Sequence, residues 1–284
     1  MSDHDEIEDH DLGLSHDLPI LLNRRRALTA LAGLGAVGLV GCSPSVAATT
    51  AAPAPGGTPP GGGAPPPATS ASADAVSGLI PSETAGPYPG DGSNGPDVLD
   101  DSGVVRRDIT SSIAGATGKA EGVPLTITMT LLNLSSGDGG ALAGAAVYLW
   151  HCDRDGKYSM YSEGLTEENY LRGVQVSDAA GQVTFTSIFP GCYAGRWPHI
   201  HFEVYPSEAD AVAATNRLRT SQLALPEETS KLVYATDGYA SSVTNLAGVS
   251  LATDNVFSDG YALQLGKATG SVEQGFTVTL NVPV

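Results

Sequence analysis

The sequence has little positive charge and no long hydrophobic run. It contains 14 lysine and arginine residues against 31 aspartate and glutamate residues, so its formal net charge is −17. Because nucleic-acid phosphates are bound by clustered lysine and arginine, this balance argues against a nucleic-acid partner. The mild apolar stretch that ends at Cys42 is shorter than the roughly 20 apolar residues needed to cross a bilayer. It instead fits the hydrophobic part of a signal peptide.

Cysteine and histidine are also scarce. Of 3 cysteines and 6 histidines, Cys42 and three histidines lie in the N-terminal region. The remainder of the chain keeps two cysteines and three histidines: Cys152, Cys192, His151, His199 and His201. Three of these five residues fall within FPGCYAGRWPHIHFEVY, residues 189–205, which makes this stretch the first candidate for chemistry.

Residues 1–42 have the features of an export signal. Arg24-Arg25-x-x-Leu28 resembles the twin-arginine motif and precedes the mild apolar stretch. The tetrapeptide Leu39-Val40-Gly41-Cys42 resembles a bacterial lipobox, which predicts cleavage before Cys42 and lipidation of its thiol. An ordinary cleaved signal peptide without a lipid is the alternative.

Residues 43–78 are rich in proline, alanine and glycine, and 43–73 carry no charged residue. Such a composition cannot bury a core, so it predicts a disordered tether. With the lipidation site it predicts an exported lipoprotein on the outer face of a bacterial cytoplasmic membrane, in contact with the membrane only through Cys42. The folded domain is expected to cover 79–284.

The part of the chain beyond residue 79 predicts an all-β fold. Short alternating runs separated by Gly-rich turns are typical of β-sandwiches. The predicted strands are 125–131, 145–150, 181–186, 200–204, 261–265 and 276–282, the last two flanking a hairpin turn at 270–275. Two short helices are predicted at 207–218 and 226–234.

His199 and His201 are two residues apart in a predicted strand. Because side chains alternate between the faces of a strand, both histidines point the same way, opposite Ile200 and Phe202. Two imidazole nitrogens on one face can converge on one metal ion. Two half-exposed histidines on a sheet are the alternative.

The residues nearby leave three kinds of metal site open. Glu203 shares the histidine face and would complete a two-His-one-carboxylate iron(II) site. Cys152 and Cys192 would complete a Cys2His2 zinc site, although free thiolates are poorly kept in an exported compartment. Tyr158 and Tyr193 would supply phenolates. A phenol has a pKa near ~10, so a bound cation must displace its proton, and ferric iron suits phenolate oxygen.

Two long runs carry a specific resemblance. VYLWHCDRDGKYS and YLRGVQVSDAAGQVTFTSIFPGCYAGRWPHIHFEVY resemble the intradiol ring-cleavage dioxygenases, which include the catechol 1,2- and protocatechuate 3,4-dioxygenases. The shorter segments PSETAGPY, RDI and TSQL resemble further elements of that family. The resemblance extends over roughly residues 79–225 and implies the β-sandwich of this family.

The resemblance also implies roles for individual residues. The implied iron ligands are Tyr158, Tyr193, His199 and His201. Tyr193 would in addition accept a substrate proton, Arg196 would face the substrate, and Gln222 would help to polarise the reacting diol. The implied cleft-lining residues are Gly86, Pro87 and Tyr88. Tyr161 is a rival to Tyr158 for the metal, and the motif position favours Tyr158.

The implied activity is Fe(III)-dependent cleavage of a catecholic diol by O2. The bond between the two hydroxyl-bearing carbons would break and give a muconate-type dicarboxylate. The alternatives are a non-catalytic exported β-sandwich that binds a catechol, a siderophore or a carbohydrate, and a zinc-site protein. The sequence indicates no oligomeric state.

Two further expectations concern the residues around this cluster. Two cysteines in an exported chain predict a Cys152–Cys192 disulfide, which would join the two segments that carry the candidate tyrosines. His151 lies on a predicted strand beside Trp150 and would face away from it. We expect His151 to be a hydrogen-bonded structural residue.

Overall fold

The structure, a computed structural model, describes residues 78–136 and 139–284. The predicted export signal, the predicted lipidation site at Cys42 and all but the last residue of the predicted tether lie outside the described residues. The described residues fall within one compact unit. Among them, no helix combines the length and the apolar character that a membrane span requires.

The described residues form strands joined by loops and a few short helices. The strands are β1 (Pro124–Asn133), β2 (Gly140–Ala141), β3 (Ala146–Trp150), β4 (Arg172–Val176), β5 (Gln182–Ile188), β6 (His199–Tyr205), β7 (Arg219–Ala224), β8 (Lys267–Ser271) and β9 (Gly275–Pro283). The α-helices are α1 (Glu208–Val212), α2 (Glu227–Tyr234) and α3 (Ala240–Ala247). Single 3-10 turns cover Leu134–Ser136 and Phe257–Asp259.

The strands are arranged in two sheets. In the five-stranded sheet, β1 pairs antiparallel with β5 and β2 and parallel with β9, and β9 pairs with β8. The four-stranded sheet has the order β4-β3-β6-β7 and is antiparallel throughout. Two sheets and few helices confirm the predicted β-sandwich.

The main hydrophobic core contains side chains from both sheets. Every second residue of β1 from Leu125 to Leu131 is buried, as expected for a strand with one apolar face. From the other sheet, β6 contributes Ile200, Phe202 and Val204 to the same cluster. Burial of this surface supplies the main favourable free energy of folding.

The opposite face of the four-stranded sheet is buried as well. Trp150, His201 and Gln222 are cross-strand neighbours on β3, β6 and β7 and form a row on this face. Loops cover the row, since Val98, Leu99 and Tyr158 pack in one cluster with Trp150. The strand β6 is therefore buried on both sides, and its second face is where the candidate site lies.

Two sequence expectations fail in their extent. The predicted helix at 207–218 is only α1, because Ala214 and Asn216 adopt left-handed backbone angles (φ 51° and 54°) that end it. The predicted strand at 261–265 is wrong. Leu265 makes a single bridge to Ala224, and the hairpin partner of β9 is β8.

Candidate metal centre

Two phenols and two imidazoles converge on the outer face of β6. The Tyr158 and Tyr193 hydroxyl oxygens lie 3.5 Å apart, and Tyr193 Oη lies 3.1 Å from His199 Nε2. His199 Nε2 in turn lies 3.1 Å from His201 Nε2. All four side chains belong to the predicted ligand set, so the structure brings that set together.

Three segments position these four side chains. The histidines alternate along β6, while Tyr193 lies in the loop between β5 and β6 and Tyr158 lies in the loop after β3. The two tyrosine loops approach closely at Gly156, where an added Cβ would lie 3.1 Å from the Tyr193 Cβ. Gly156 also has a φ of +81°, a backbone angle that favours glycine.

The two histidines are held differently. His199 Nδ1 lies 2.5 Å from the Trp197 carbonyl oxygen. Because that carbonyl can only accept, Nδ1 carries the proton and the Nε2 lone pair faces the cluster. His201 stacks on Trp150 with ring centroids 5.0 Å apart. Its buried Nδ1 has no hydrogen-bond partner among the described residues.

Burial keeps the four groups neutral when no cation is present. It raises the pKa of Tyr193 to about 12, against a lowering by Arg196, and raises that of Tyr158 well above its usual value. Burial and the Arg196 charge hold the pKa of His199 well below its usual range. Burial, His199 and Arg196 do the same for His201. Neutral imidazoles are ready to bind a metal, whereas the phenols must first lose their protons.

Arg196 lies at the edge of the cluster and is buried. Its Nε donates to Asp254 Oδ2 at 2.9 Å, its Nη2 donates to Gln222 Oε1 at 2.6 Å, and its Nη1 lies 3.4 Å from His199 Nε2. Burial disfavours its charge, but Tyr193 and Asp254 outweigh burial, so the pKa of Arg196 is raised. A positive charge is therefore held beside the candidate ligands.

Gln222 joins Arg196 to the segment predicted to line the cleft. The Gln222 amide nitrogen donates to the Thr84 carbonyl at 3.0 Å. Gly86, with a φ of +76°, lies so close to His201 that an added Cβ would be 3.3 Å from the ring. The Tyr88 ring lies 4.8 Å from the Tyr158 ring, and Pro87 lies between these two contacts.

The donor atoms fit one ferric ion. Ligand atoms about 2 Å from a common first-row metal ion lie about 3 Å from one another, which matches the spacings of 3.1, 3.1 and 3.5 Å. Anionic phenolate oxygen suits a hard, highly charged cation, and the Nδ1 contact of His199 is the usual support of a metal-binding imidazole.

The two alternative metal sites are not assembled. Glu203 is occupied elsewhere, accepting from Tyr205 Oη at 2.6 Å and forming an ion pair with Arg217. Among the described residues, no group of three or more histidine, cysteine, aspartate or glutamate side chains could hold a metal ion. This finding is against both the two-His-one-carboxylate site and the Cys2His2 zinc site.

The predicted Cys152–Cys192 disulfide is wrong. Within the described part of the chain both residues are free, buried thiols. Cys152 Sγ points to the Gly191 carbonyl at 3.5 Å, whereas Cys192 Sγ points to the Arg196 carbonyl at 3.4 Å. The two side chains also belong to different apolar clusters. Burial raises the pKa of the Cys192 thiol to about 12 and holds that of the Cys152 thiol well above its usual value.

Tyr161 and His151 behave as the sequence predicted. The Tyr161 hydroxyl donates to Asn94 Oδ1 at 2.7 Å and accepts from the Gly90 amide at 2.8 Å. His151 is buried, with Nδ1 2.7 Å from the Cys152 carbonyl and Nε2 2.7 Å from Ser187 Oγ. Both side chains use their polar atoms outside the cluster.

Sequence reasoning missed three residues around the site. Trp150 stacks on His201, Asp254 pairs with Arg196, and Arg172 Nη1 donates to the Tyr88 carbonyl at 2.9 Å while its Nη2 donates to the Ser159 carbonyl at 2.9 Å. Alternation along β3 would have placed Trp150 on the histidine face. No spacing in the sequence indicates Asp254, which lies in a loop between α3 and the 3-10 turn at Phe257–Asp259.

Several solved structures of dioxygenases are similar to this chain. One is the intradiol ring-cleavage dioxygenase from Tetranychus urticae, with 24% identity, a TM-score of 0.56, and coverage of 73% of this chain and 94% of that chain. A second is the dioxygenase Tetur07g02040, with 24% identity, a TM-score of 0.57, and coverage of 72% and 93%. The dioxygenase domain of a carbohydrate-binding fusion protein from Streptomyces sp. SirexAA-E is 23% identical, with a TM-score of 0.47 and coverage of 73% and 98%.

The fold is thus that of the intradiol ring-cleavage dioxygenases. Residues 95–216 match the family model described as "Dioxygenase". Over these residues the chain is similar to the dioxygenase family. The matched stretch includes Tyr158, Tyr193, His199 and His201.

Proposed function

We propose that this protein is an Fe(III)-dependent dioxygenase that cleaves a catecholic diol between its two hydroxyl-bearing carbons. One observation carries the proposal: two phenol oxygens and two imidazole nitrogens from three segments meet with spacings of 3.1 to 3.5 Å. We propose Tyr158, Tyr193, His199 and His201 as the ligands of one non-haem ferric ion. The match of residues 95–216 to the dioxygenase family model supports the same chemistry.

Ferric iron, when bound, supplies a Lewis acid that orients the diol and draws electron density from it. The protein supplies the rest. Once a bound cation has displaced its proton, Tyr193 would offer its phenolate oxygen as a base for a diol proton, since burial raises the pKa of the phenol to about 12. Arg196 offers a fixed positive charge beside His199, which stabilises negative charge that develops on the substrate. The surrounding burial excludes water and strengthens this interaction.

The reaction balances without another reactant. One diol and one O2 give one dicarboxylic acid, and both oxygen atoms of O2 enter the product. Because the net charge of the chain is −17, long-range attraction would not concentrate anionic aromatic acids at the site. We therefore propose a neutral diol as the substrate class.

The test uses protein loaded with ferric iron. We expect a visible charge-transfer band from phenolate to iron that shifts when catechol is added without O2. With O2, we expect equimolar uptake of catechol and O2, and two labelled oxygen atoms in the product from labelled O2. A coloured protein that consumes no O2 with catechol would favour the non-catalytic binding module. A protein that stays colourless after loading would contradict the iron site.

A matched pair of tyrosine substitutions locates the ligands. We expect Tyr193→Phe to change the visible band and to slow turnover by about 100-fold, because it removes both a ligand atom and a base. Tyr161→Phe removes the same atom from a neighbouring tyrosine that hydrogen-bonds Asn94 and Gly90. It should leave the band in place. An unchanged band in Tyr193→Phe would exclude Tyr193 as a ligand.

We also propose that the protein is exported and anchored to the outer face of the cytoplasmic membrane by a lipid on Cys42. The support is the sequence pattern around Arg24-Arg25 and Leu39–Cys42, followed by a Pro/Ala/Gly-rich segment. Mass spectrometry of the membrane-extracted protein should find a lipid-modified N-terminal Cys42. An unprocessed N-terminus would contradict this.

A further inference from the structure

A buried carboxylate outside the family-matching stretch reaches the candidate site. Asp254 has no exposed surface. Its Oδ2 accepts from Arg196 Nε at 2.9 Å and from the Trp197 amide at 2.7 Å. Its Oδ1 accepts from the Val256 amide at 2.8 Å and the Phe257 amide at 3.1 Å. Both oxygens are therefore fully engaged within the protein.

Pairing through Nε determines where the other end of the guanidinium points. Because Asp254 binds Nε, the two terminal nitrogens of Arg196 remain available for other partners. Nη2 donates to Gln222 Oε1 at 2.6 Å, and Nη1 lies 3.4 Å from His199 Nε2. A planar guanidinium bonded at both Nε and Nη2 has no remaining rotation. Nη1 is thus held beside the candidate ligand atoms.

The contacts continue beyond Arg196. Gln222 Oε1 accepts a hydrogen bond from Arg196 Nη2, and Gln222 Nε2 donates one to the Thr84 carbonyl oxygen at 3.0 Å. A continuous chain of hydrogen bonds therefore runs from Asp254 through Arg196 and Gln222 to Thr84. It links the loop after α3 to the segment that places Gly86 against His201. The oxygen and the nitrogen of the Gln222 side-chain amide both take part in this chain of hydrogen bonds.

We propose that Asp254 is the positioning residue of Arg196: it fixes the guanidinium so that Nη1 faces the reacting diol beside His199. Gln222 is the second support of the same guanidinium. The proposal rests on the proposed diol-cleaving function and deepens it. It assigns a role to the C-terminal part of the chain, which lies outside the residues that match the family model.

A competing role for Asp254 is to hold only the backbone at Trp197, without acting on the Arg196 side chain. The Trp197 amide also bonds Asp254, and Trp197 lies between Arg196 and His199. If the backbone contact were all that mattered, loss of the carboxylate charge would disturb the histidine and the iron band. If Asp254 acts through Arg196, its effect must disappear when Arg196 is changed. These outcomes are separable.

The first experiment is a double-mutant cycle with Asp254→Asn and Arg196→Gln, using iron-loaded protein and catechol. We expect Asp254→Asn to lower kcat by about 10- to 100-fold, the range for loss of a residue that orients an active-site group. The visible band should persist. In the Arg196→Gln background, Asp254→Asn should lower kcat by less than about 2-fold, because contacting residues are not additive. Additive losses, or an unchanged kcat in Asp254→Asn, would overturn the proposal.

The second experiment needs neither iron nor substrate. In the nitrogen-15 NMR spectrum of the metal-free protein, the Arg196 Nε–H should exchange slowly with water, because it is buried against Asp254. Asp254→Asn should make this exchange at least about 10-fold faster. Equal exchange in the two proteins would refute the positioning role whether or not catechol is cleaved. If the wild-type protein cleaves no diol but the exchange difference is found, the proposed function fails and the fixed guanidinium remains.

Two further variants keep the test sound. Asp178 also caps a turn through the backbone amides of Ala180 and Gln182, at an exposed position. Asp178→Asn should change neither kcat nor the Arg196 signal. If Asp254→Asn does not fold, Asp254→Glu retains the charge but displaces it by one methylene group. It should then give the loss of kcat with the visible band retained.

Discussion

The two faces of β6 are equally buried but differ in what they require. Ile200, Phe202 and Val204 enter the core between the sheets, where shape and volume are enough. His199, His201 and Glu203 occupy the other face, where each polar atom needs a partner. His199 Nδ1 has the Trp197 carbonyl and Glu203 has Arg217 and Tyr205. The apolar face stabilises the strand so that the polar face can be kept for a ligand.

The difference between the faces is sharpest at His201 and its neighbour Phe202. His201→Asn should reduce retention of iron at least about 100-fold, since loss of a proposed ligand should exceed the effect of losing a supporting residue. Iron per protein and the visible band after gel filtration measure this. Phe202→Leu, on the opposite face, should keep iron and band but lower the free energy of unfolding by about 1–2 kcal/mol. If Phe202→Leu loses iron as readily as His201→Asn does, the proposed separation of metal binding and core packing between the two faces of β6 is wrong.

The alternation of β6 could be predicted from the sequence, and so could the shared face of the two histidines. Tyr158 and Tyr193 could be named from the residues as candidate phenolate donors. Only the family resemblance favoured them over the carboxylate and thiolate alternatives, because a loop residue has no periodicity that fixes its direction. Asp254 could not be found, since a buried carboxylate in a loop is indistinguishable in sequence from an exposed one. The predicted strand at 261–265 failed for a related reason: alternation over a few residues does not show that the segment pairs with another strand.

His151 is a buried histidine that, unlike His199 and His201, lies outside the candidate site and has protein partners for both ring nitrogens. Burial lowers the pKa of His151 to about 4, against a small raising by the Cys152 carbonyl. The unfolded chain, with the usual value of 6.5, binds the proton first. Stability is therefore complete above pH 6.5 and is lost as the pH falls toward 4.

The His151 shift lowers the free energy of unfolding by about 2 kcal/mol between pH 7 and pH 5. His199 and His201 shift in the same direction when the metal is absent. Urea unfolding of metal-free protein at both pH values measures the total. His151→Asn cannot titrate there, so its stability should fall less between the two pH values. An equal fall in wild type and variant would show that His151 does not contribute.

The smallest expected effect concerns the two cysteines, which belong to different apolar clusters. Cys192 packs in the cluster between the sheets, whereas Cys152 packs in the cluster on the outer face. A disulfide between them would raise the free energy of unfolding by about 2–4 kcal/mol, because it restricts the unfolded chain, and reductant would remove this stabilisation. With two free thiols, we expect the same unfolding midpoint with and without reductant. After denaturation, a thiol reagent should alkylate both residues without prior reduction, as peptide mass spectrometry would show. A linked peptide pair in protein isolated without reductant would instead join the two clusters covalently and overturn the free-thiol assignment.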